Sequence, residues 1–307
     1  MNPEPARPRG DEMKTADPKT GISIENVLFA TDFSPAAEAA LSYASAVADR
    51  YQSRLYVAHV INLESFDLLE SESARITLQK AHDEAQRKIT QLLDPLHLPR
   101  DRYRIVVADG AISEVLVEII QRNHIDLAVL GTHGRRAFKK LLMGSIAEEV
   151  FRMAPCPVLT VGPKTASTPS VGGLRHILCA VEFVPDKSKA AQYAVSLAER
   201  YSATLTVINV REDMPASPNT AEKFSEPFEH WIRDNVASGS DLRNRIRFER
   251  GFGPAPDSIL DFVAKSAVDR IVMSVRQLDP VMAAHLPKSD TAYELVTRAL
   301  CPVLTIR

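Results

Sequence analysis

The stretch NVLFATDFSPAAEAALSYASAVADRYQSRLYVAHV, residues Asn26 to Val60, has a diverged second copy in this chain. The copy is HILCAVEFVPDKSKAAQYAVSLAERYSATLTVINV, residues His176 to Val210. A constant shift aligns Phe33 with Phe183, Tyr43 with Tyr193, Arg50-Tyr51 with Arg200-Tyr201, and the apolar residues Leu55, Val57 and Val60 with Leu205, Val207 and Val210. CPVLTV (Cys156 to Val161) likewise recurs as CPVLTI (Cys301 to Ile306). Self-similarity of this kind predicts a tandem duplication of one domain.

Within one half, short apolar runs of β-prone residues alternate with helical patterns. The predicted strands of the first half are Val27–Thr31, Arg54–Ile61, Arg102–Ala108, Asp126–Gly131 and Pro157–Val161. The predicted helices are Ala36–Arg50, which opens with the N-cap Ser34 and the first-turn Pro35, about Ser71–Leu93, Ile112–Arg122 and Ser145–Arg152. Strands that alternate with helices predict a parallel sheet covered on both faces. Right-handed crossovers then make each half a doubly wound, five-stranded α/β domain.

The composition describes a globular protein with two cores. The chain has 307 residues, which at roughly 150 residues per domain indicates two domains. Its residues are 45% hydrophobic and 25% charged, and the formal net charge is -2. No overall positive field exists to attract nucleic acid or an anionic membrane, and aromatic residues are not interleaved with basic ones. We therefore expect neither nucleic acid nor a membrane as a partner.

The start of the chain and the join between the halves have the composition of flexible segments. Residues 1–22 lack the continuous apolar run of a signal peptide or anchor, so we expect a disordered tail there. No later segment approaches the ~18 uninterrupted apolar residues of a membrane span, which favours a cytoplasmic location. GPKTASTPSVGG (Gly162 to Gly173) is rich in Gly, Pro, Ser and Thr. The expected domains are residues 23–163 and 174–307, with a linker at residues 164–173.

The three cysteines, Cys156, Cys179 and Cys301, each lie in or beside an apolar run. They form no Cys-x-x-Cys pair and have no histidine at metal-ligand spacing. This arrangement favours buried structural thiols over a redox or metal site.

The run LGTHGRRAFKKLLMGSI, residues Leu130 to Ile146, has the spacing Gly-x2-Gly-x9-Gly-Ser. Doubly wound domains bind ligands beyond the carboxyl ends of their strands, where the strand order reverses, and this run begins at such an end. A glycine there lets backbone N–H groups approach an oxyanion, and Gly-Ser at a helix start offers free N–H groups to a phosphate. Countercharge comes from Arg135, Arg136, Lys139 and Lys140. The run is neither a Walker A loop nor a dinucleotide fingerprint. Its position predicts a phosphate-binding loop.

These features resemble the universal stress protein (universal stress protein A-like) family in its tandem two-domain form. The resemblance covers about Ile24 to Arg307 and rests on ATDFS after the first strand, HV closing the second, LGTHG closing the fourth, the glycine spacing, and CPVLTV as the fifth strand. It implies a Rossmann-like, adenine nucleotide alpha hydrolase-like fold with bound ATP, and it leaves Mg²⁺ open. It also implies that the two domains pair through their fifth strands, which hides exposed backbone edges. A homodimer and a regulatory protein partner stay open.

Carried over residue by residue, the resemblance implies a nucleotide-binding set in the first half. It places Asp32 and Val60 near the adenine and ribose, Leu130 and Gly131 against the nucleoside, and Gly134, Gly144, Ser145 and Ile146 around the phosphates. It assigns no catalytic residue and no protein-held metal.

The second half departs from this pattern. After its predicted fourth strand, RIVMS (Arg270 to Ser274), Ser274 replaces the first glycine and no other glycine follows. Glu182 stands where the first half has an aspartate, and Asp290 lies near the position of the loop serine, where it adds like charge. We therefore predict a degenerate loop in the second domain that does not bind ATP in the family manner.

Three functions are consistent with these features. The first is an ATP-binding regulatory protein of the stress response, with the second half as a structural partner. The second is a slow ATPase or nucleotidyl-transfer enzyme, which would need metal ligands and a nucleophile-positioning group near the phosphates. His133 lies in the loop, where an acid–base role competes with that of an ordinary exposed histidine. For His59 a packing or hydrogen-bonding role is expected, and Glu148 and Glu149 are expected to be solvated or salt-bridged. The third is a nucleotide-free protein-interaction module.

Two other features of the second half also have a structural interpretation. GFGP (Gly251 to Pro254) follows the predicted third strand, where a tight turn competes with a ligand contact. Trp231 is the only tryptophan, and we expect it in a long helix as a core or domain-contact residue.

Overall fold

The computed structural model describes residues 21–63, 72–132, 144–165, 173–181, 189–211, 226, 229–231, 234–275 and 291–307. The first half contains β1 (Asn26–Ala30), α1 (Pro35–Tyr51), β2 (Arg54–Ile61), α2 (Glu72–Leu93), β3 (Tyr103–Asp109), α3 (Ile112–Arg122), β4 (Leu127–Gly131), α4 (Ser145–Met153) and β5 (Val158–Val161). The second half contains β6 (His176–Val181), α5 (Lys189–Tyr201), β7 (Thr204–Arg211), β8 (Ile246–Phe252), α6 (Ala255–Ser266), β9 (Arg270–Ser274), α7 (Thr291–Arg298) and β10 (Val303–Ile306). The predicted elements of the first half are confirmed to within one residue at each end.

The strands form one ten-stranded sheet in the order β3-β2-β1-β4-β5-β10-β9-β6-β7-β8. Within each half all neighbouring strands are parallel, which confirms the two five-stranded parallel domains. In the first half the order reverses between β1 and β4, because β2 and β3 lie on one side of β1 and β4 and β5 on the other. That reversal point is where doubly wound domains bind their ligands.

Helices cover both faces of the sheet, as alternating strand residues require. On one face, Val27 and Phe29 of β1 belong to a buried cluster with residues of α1, α2 and α5. On the other face, Leu28 packs with residues of α3 and α4. The first cluster contains residues of both halves, so the two halves share a continuous core.

The halves join where β5 pairs antiparallel with β10, as the family resemblance implied. The register pairs Thr160 with Val303 and Val158 with Thr305. Thr160 Oγ1 donates to the Val303 carbonyl, and Thr305 Oγ1 donates to the Val158 carbonyl, both at 3.1 Å. The join is therefore pseudo-symmetric, with one threonine bond from each copy of the CPVLTV motif.

The structure tests several smaller predictions. The three cysteines are buried, as expected. Trp231 is partly buried against the core cluster shared by the halves. The prediction that GFGP follows the third strand of the second half is wrong in its boundary, because β8 continues through Phe252 and includes Gly251. Gly253 has φ +89° beyond the strand end, which fits the turn interpretation.

Some predictions lie outside the described residues. They are residues 1–20 of the expected tail, His133 to Lys140 of the loop with Gly134 and its four cations, residues 166–172 of the linker, Glu182 and Asp290. Of the expected tail, Ile22 is described: its N–H donates to Ser196 Oγ at 3.2 Å, and its side chain packs against the core. No described helix is long and apolar enough to cross a membrane.

Candidate functional site

The candidate site is the crevice at the carboxyl ends of β1 and β4. Ala30, the last residue of β1, pairs with Leu130, and Gly131 at the end of β4 pairs with Val161 of β5. The chain leaves β1 through Asp32 and leaves β4 through Thr132. The structure therefore brings Asp32, Leu130 and Gly131 together at the strand-order reversal, as predicted.

The turn from β1 to α1 is held by side-chain oxygens of three residues, Thr31, Asp32 and Ser34. Thr31 Oγ1 accepts from the N–H of Phe33 at 2.9 Å, and Asp32 Oδ1 accepts from the N–H of Ser34 at 3.0 Å. Ser34 Oγ caps α1 by accepting from the N–H of Ala37 at 3.3 Å, which confirms the predicted N-cap. Thr, Asp and Ser of the ATDFS motif thus satisfy backbone donors, and one carboxylate oxygen of Asp32 is already engaged.

Phe33 adopts the left-handed conformation at φ 60°, which is uncommon for a bulky residue. Its ring packs against that of His59 at an interplanar angle of 41°, with the centroids 4.5 Å apart, and Lys88 Nζ lies 5.5 Å from the Phe33 centroid. His59 Nδ1 lies 2.8 Å from the Thr31 carbonyl oxygen. The second half repeats this bond with another residue, because Asn209 Nδ2 donates to the Val181 carbonyl at 3.0 Å. His59 therefore has the expected packing and hydrogen-bonding role.

Gly131 is required by the approach of α1. A Cβ at this position would lie 2.7 Å from the Ala36 carbonyl oxygen, closer than real Cβ atoms come to backbone, and 3.1 Å from the Ala37 nitrogen. From the sequence we expected this glycine to give an oxyanion access to backbone N–H groups. Helix packing alone explains the absence of a side chain here.

The residue before α4 is hydrogen-bonded to the residue after β4. The N–H of Gly144 donates to the Thr132 carbonyl at 2.7 Å. Thr132 is completely buried, and both its N–H and its Oγ1 donate to the Val161 carbonyl, at 3.1 and 3.3 Å. The start of α4 is therefore fixed at the end of β4.

The N-terminus of α4 has no side-chain cap. Gly144 is the N-cap, with φ -64° and ψ 144°, and makes no side-chain hydrogen bond to the first turn. Ser145 is the first helical residue and is exposed. The first N–H groups of α4 thus lie beside the crevice with the positive end of the helix dipole, an arrangement that favours anions.

The other predicted site residues contribute mainly through position. Val60 and Leu130 are 6% and 4% exposed and pack in the α3–α4 core cluster, against which Ile146 also packs. A ligand in the crevice would meet their main chain rather than their side chains. Glu148 in the first turn of α4 pairs with the buried Arg152 at 3.2 Å, which confirms the expected salt bridge.

Comparison with known proteins shows to which family the chain belongs. The sequence profile of the universal stress protein family matches residues 23–162 and again residues 173–307. The chain belongs to the universal stress protein family.

Some known universal stress proteins match about half of the chain, and a solved structure matches nearly all of it. Universal stress protein A homolog 1 of Coxiella burnetii is 31% identical over 146 residues, which are 47% of this chain and 99% of the relative. A universal stress protein of Methanocaldococcus jannaschii is 26% identical over 160 residues, again 47% of this chain and 99% of the relative. A crystal structure from Archaeoglobus fulgidus has a TM-score of 0.71 at 20% identity and covers 92% of this chain and 98% of its own. The two relatives correspond to one half each, whereas the solved structure shares the tandem fold.

In this universal stress protein the equivalent crevice of the second half differs. Ser274, the counterpart of Gly131, is exposed and carries a side chain at the strand end. The strand exit itself is retained, because the N–H of Val275 donates to the Ile306 carbonyl at 2.8 Å as Thr132 does to Val161. The two halves thus share a framework, and the difference lies in the side chains around the crevice.

Sequence reasoning did not single out Thr132, Phe33 or Lys88 in the crevice wall. Thr132 lies in the quoted LGTHG motif, and its full burial beside two glycines is a packing property that one sequence does not reveal. The proximity of Lys88 depends on how α2 packs over the β1–α1 turn. Within the described residues, no cluster of three or more His, Cys, Asp or Glu side chains is able to hold a metal ion.

Proposed function

We propose that this universal stress protein binds ATP in the crevice of its first half and acts as a nucleotide-dependent regulatory protein in the stress response. The second half, with its degenerate loop, serves as a structural partner joined through β5 and β10. The proposal concerns one nucleotide site per chain.

The observation that carries the proposal is the uncapped N-terminus of α4 fixed at the end of β4. Helix N-termini bind phosphate because their free N–H groups and the helix dipole both favour negative charge. The bond between Gly144 and Thr132 holds these donors at the strand-order reversal. We assign the phosphates to Gly144, Ser145 and Ile146, together with Gly134, which lies outside the described residues.

The nucleoside end of the ligand would lie toward β1 and β2. Asp32 follows β1 and supplies a carboxylate at the mouth of the crevice, suited to accept hydrogen bonds from ribose hydroxyls. Val60, Leu130 and Gly131 provide main-chain surface at the strand ends. Their burial and tight packing favour a preformed wall, which reduces the entropy lost on binding.

A magnesium ion fits this proposal best as a companion of the phosphates. Mg²⁺ in nucleotide sites is usually held by one or two carboxylates together with substrate phosphates and water. Asp32 is the nearby candidate carboxylate, and its Oδ1 already accepts from Ser34. The residues therefore suit an ion that arrives with the nucleotide.

A regulatory role follows if ATP binds one conformation or assembly better than another, since a ligand shifts an equilibrium only by its differential affinity. A coupling of about 1–3 kcal/mol would suffice for a switch. The continuous sheet offers a physical connection, because β4 at the crevice pairs with β5, and β5 pairs with β10 of the other half.

Calorimetric titration of ATP, with and without Mg²⁺, tests the proposal on the intact protein. The test variant is Gly144→Val with Ser145→Ala. The Gly144 dihedrals lie in the extended region open to any residue, so the variant should fold. We expect one site per chain in the wild type and at least about a tenfold loss of affinity, or ~1.4 kcal/mol, in the variant. The matched control is Thr291→Ala at the start of α7, the corresponding helix of the second half, and it should bind like the wild type.

The same experiment separates the competing functions. Release of ADP and phosphate from the bound complex would identify a slow ATPase, whereas recovery of intact ATP supports a regulatory ligand. Another universal stress protein has been solved in complex with cAMP, so cAMP is included as a competing ligand. Absence of binding, or binding that the double variant leaves unchanged, would refute the site and favour an interaction module.

A further inference from the structure

The continuous sheet ends in two edge strands, β3 on one side and β8 on the other. Among the described strands, β3 pairs with β2 alone and β8 pairs with β7 alone. Each edge strand therefore presents a row of backbone N–H and C=O groups that no other described strand uses. Such an edge pairs with a further strand unless its side chains or its surroundings prevent it. The two edges differ in this respect.

The β8 edge has two features that oppose strand pairing. The N–H of Gly253 donates to a carbonyl of β7, so the preceding residue, Phe252, directs its own N–H and C=O groups outward. Ser258 Oγ donates to the Phe252 carbonyl at 2.8 Å and thus occupies an outward acceptor. In the middle of the strand, Glu249 and Arg250 are both exposed. Charged side chains on an edge strand keep it from pairing with other chains.

The β3 edge lacks both features. The middle of this strand, IVVA at residues 105–108, is apolar, and the exposed residues Arg104 and Asp109 lie near its two ends. The N–H of Gly110 donates to the Ile61 carbonyl of β2 at 3.0 Å, which fixes the direction of the alternating backbone groups. The residues that direct their N–H and C=O groups outward are therefore Tyr103, Ile105, Val107 and Asp109. No described side chain bonds to these outward groups.

The outward groups of β3 are self-complementary about Val106. If a second copy lies antiparallel with Val106 on a twofold axis, Ile105 of one copy faces Val107 of the other. In the same register Tyr103 faces Asp109. Each facing pair exchanges two N–H···O=C bonds, so this register uses every outward residue of the strand. A twofold axis also keeps facing side chains on the same side of the sheet, as antiparallel pairing requires.

The charges at the two ends of β3 match in this register. The Arg100 guanidinium lies over the Tyr103 ring, 5.6 Å from its centroid. Asp109 projects to the same sheet face as Tyr103, where its Oδ1 lies 3.0 Å from His82 Nε2 of α2 and its side chain is 39% exposed. In the antiparallel pair, Asp109 of one copy faces Tyr103 of the other and comes beside Arg100. Opposite charges across neighbouring strands stabilise pairing, and the twofold axis supplies this contact twice.

We propose that β3 is a docking edge for a second copy of this chain, which pairs antiparallel about a twofold axis at Val106. The backbone register, the apolar middle and the end charges of β3 are all complementary to β3 itself. Pairing joins two sheets into one, and the protected β8 edges then lie at both outer ends, so that assembly stops at the dimer. The edge is seven residues long and buries little surface, so we expect a dissociation constant on the order of 0.1 mM. This inference does not depend on nucleotide binding.

Sedimentation equilibrium of the intact protein tests the dimer. From about 5 to about 500 μM, the average mass of the wild type should rise from that of the monomer toward that of the dimer. Val106→Lys places two like charges at the twofold axis and should keep the protein monomeric. Glu249→Lys, at the corresponding central position of β8, is the matched control and should associate like the wild type. A wild type that stays monomeric, or a dimer that Val106→Lys leaves unchanged, would refute the proposal.

A charge exchange tests the register. Arg100→Glu and Asp109→Arg each bring like charges together across the pair, and each should weaken dimerisation about tenfold. The double variant restores opposite charges and should recover most of the wild-type association. Circular dichroism verifies that each variant is folded. A double variant that associates no better than the weaker single variant would show that Asp109 and Arg100 do not meet, and would overturn this register.

Discussion

Helix packing accounts for the glycine at position 131. Its missing Cβ leaves room for the first turn of α1, where the Ala36 carbonyl oxygen would otherwise be 2.7 Å away. The neighbour is backbone at a capped helix start, so it cannot move aside cheaply. The glycine thus positions α1, and through it Asp32, whether or not a ligand is bound.

We expect Gly131→Ala to destabilise the protein by about 1–3 kcal/mol, the usual cost of forcing an extra carbon into a packed site. Gly239→Ala is the control, because a Cβ there meets nothing within 4 Å and the residue has no positive φ. That variant should stay within about 0.5 kcal/mol of the wild type. Urea unfolding monitored by circular dichroism measures both, and equal stabilities would show that α1 tolerates the added methyl.

The buried thiols predict a loss of stability at alkaline pH. Burial raises the pKa of Cys156, Cys179 and Cys301 from 9.0 to about 12. The folded state therefore retains the thiol proton more tightly than the unfolded state. This contribution is complete below pH 9 and is lost as the pH rises from about 9 toward 12.

Cys179 gives the cleanest test, because burial alone raises the pKa of its thiol. We expect Cys179→Ala to reduce the fall in unfolding free energy between pH 9 and 11 by up to about 1.4 kcal/mol per pH unit. Val207→Ala, at the residue paired with Cys179 on β7, is the control and should lower stability without changing the slope. Parallel slopes for Cys179→Ala and the wild type would show that this thiol does not contribute.

The sequence did not predict which side chains of the two halves contact each other. Arg50-Tyr51 and Arg200-Tyr201 were visible as a repeated pair, but their mutual stacking across the halves depends on the β5–β10 join. Arg270 begins a strand whose next three residues are apolar, and an arginine at a strand start is usually exposed. Its burial follows from the packing of α1 and α5 over the joined sheet, which no local pattern contains.

At the level of elements, the periodicities predicted the strands and helices well because each carries a buried stripe. The strand Arg54–Ile61 and the helix Ile112–Arg122 have the predicted bounds. The sequence pattern places GFGP after the third strand of the second half, because paired glycines are typical of turns. The backbone of β8 instead continues the ladder, with Gly251 paired to Val210. The register of β5 against β10 also lay beyond the sequence, since an antiparallel edge contact leaves only apolar residues as its signal.

The β5–β10 element offers a prediction about its two threonines. Thr160 and Thr305 are 1% and 2% exposed and each donates one hydrogen bond across the join. Replacing both by valine keeps their shape, and we expect a loss of about 1–3 kcal/mol, from roughly 0.5–1.5 kcal/mol for each bond. Urea unfolding checks the value. Thr77→Val on the exposed face of α2 is the control, and an equally small effect in both variants would mean that strand pairing alone holds the halves together.

At the level of the whole molecule, the tandem chain resembles two half-length relatives fused into one sheet. The Coxiella burnetii relative corresponds to one half, with 99% of its length covered. In the tandem protein, all four residues of β5 are buried, and β10 covers one edge of this strand. A half-length protein of this fold would expose that edge, and exposed edges pair with other strands. Fusion thus supplies the edge partner within the chain.

We therefore expect residues 21–165, expressed alone, to associate as a dimer through β5. An unpaired apolar edge is a template for a second copy, and the antiparallel pairing seen between β5 and β10 is compatible with two identical strands related by a twofold axis. Sedimentation equilibrium at micromolar concentration should give twice the mass of the fragment. The variant Thr160→Lys places a charge on the pairing edge and should be monomeric. A folded wild-type fragment that stays monomeric would show that β5 needs the second half for reasons other than edge protection, and would point instead to the core shared by α1 and α5.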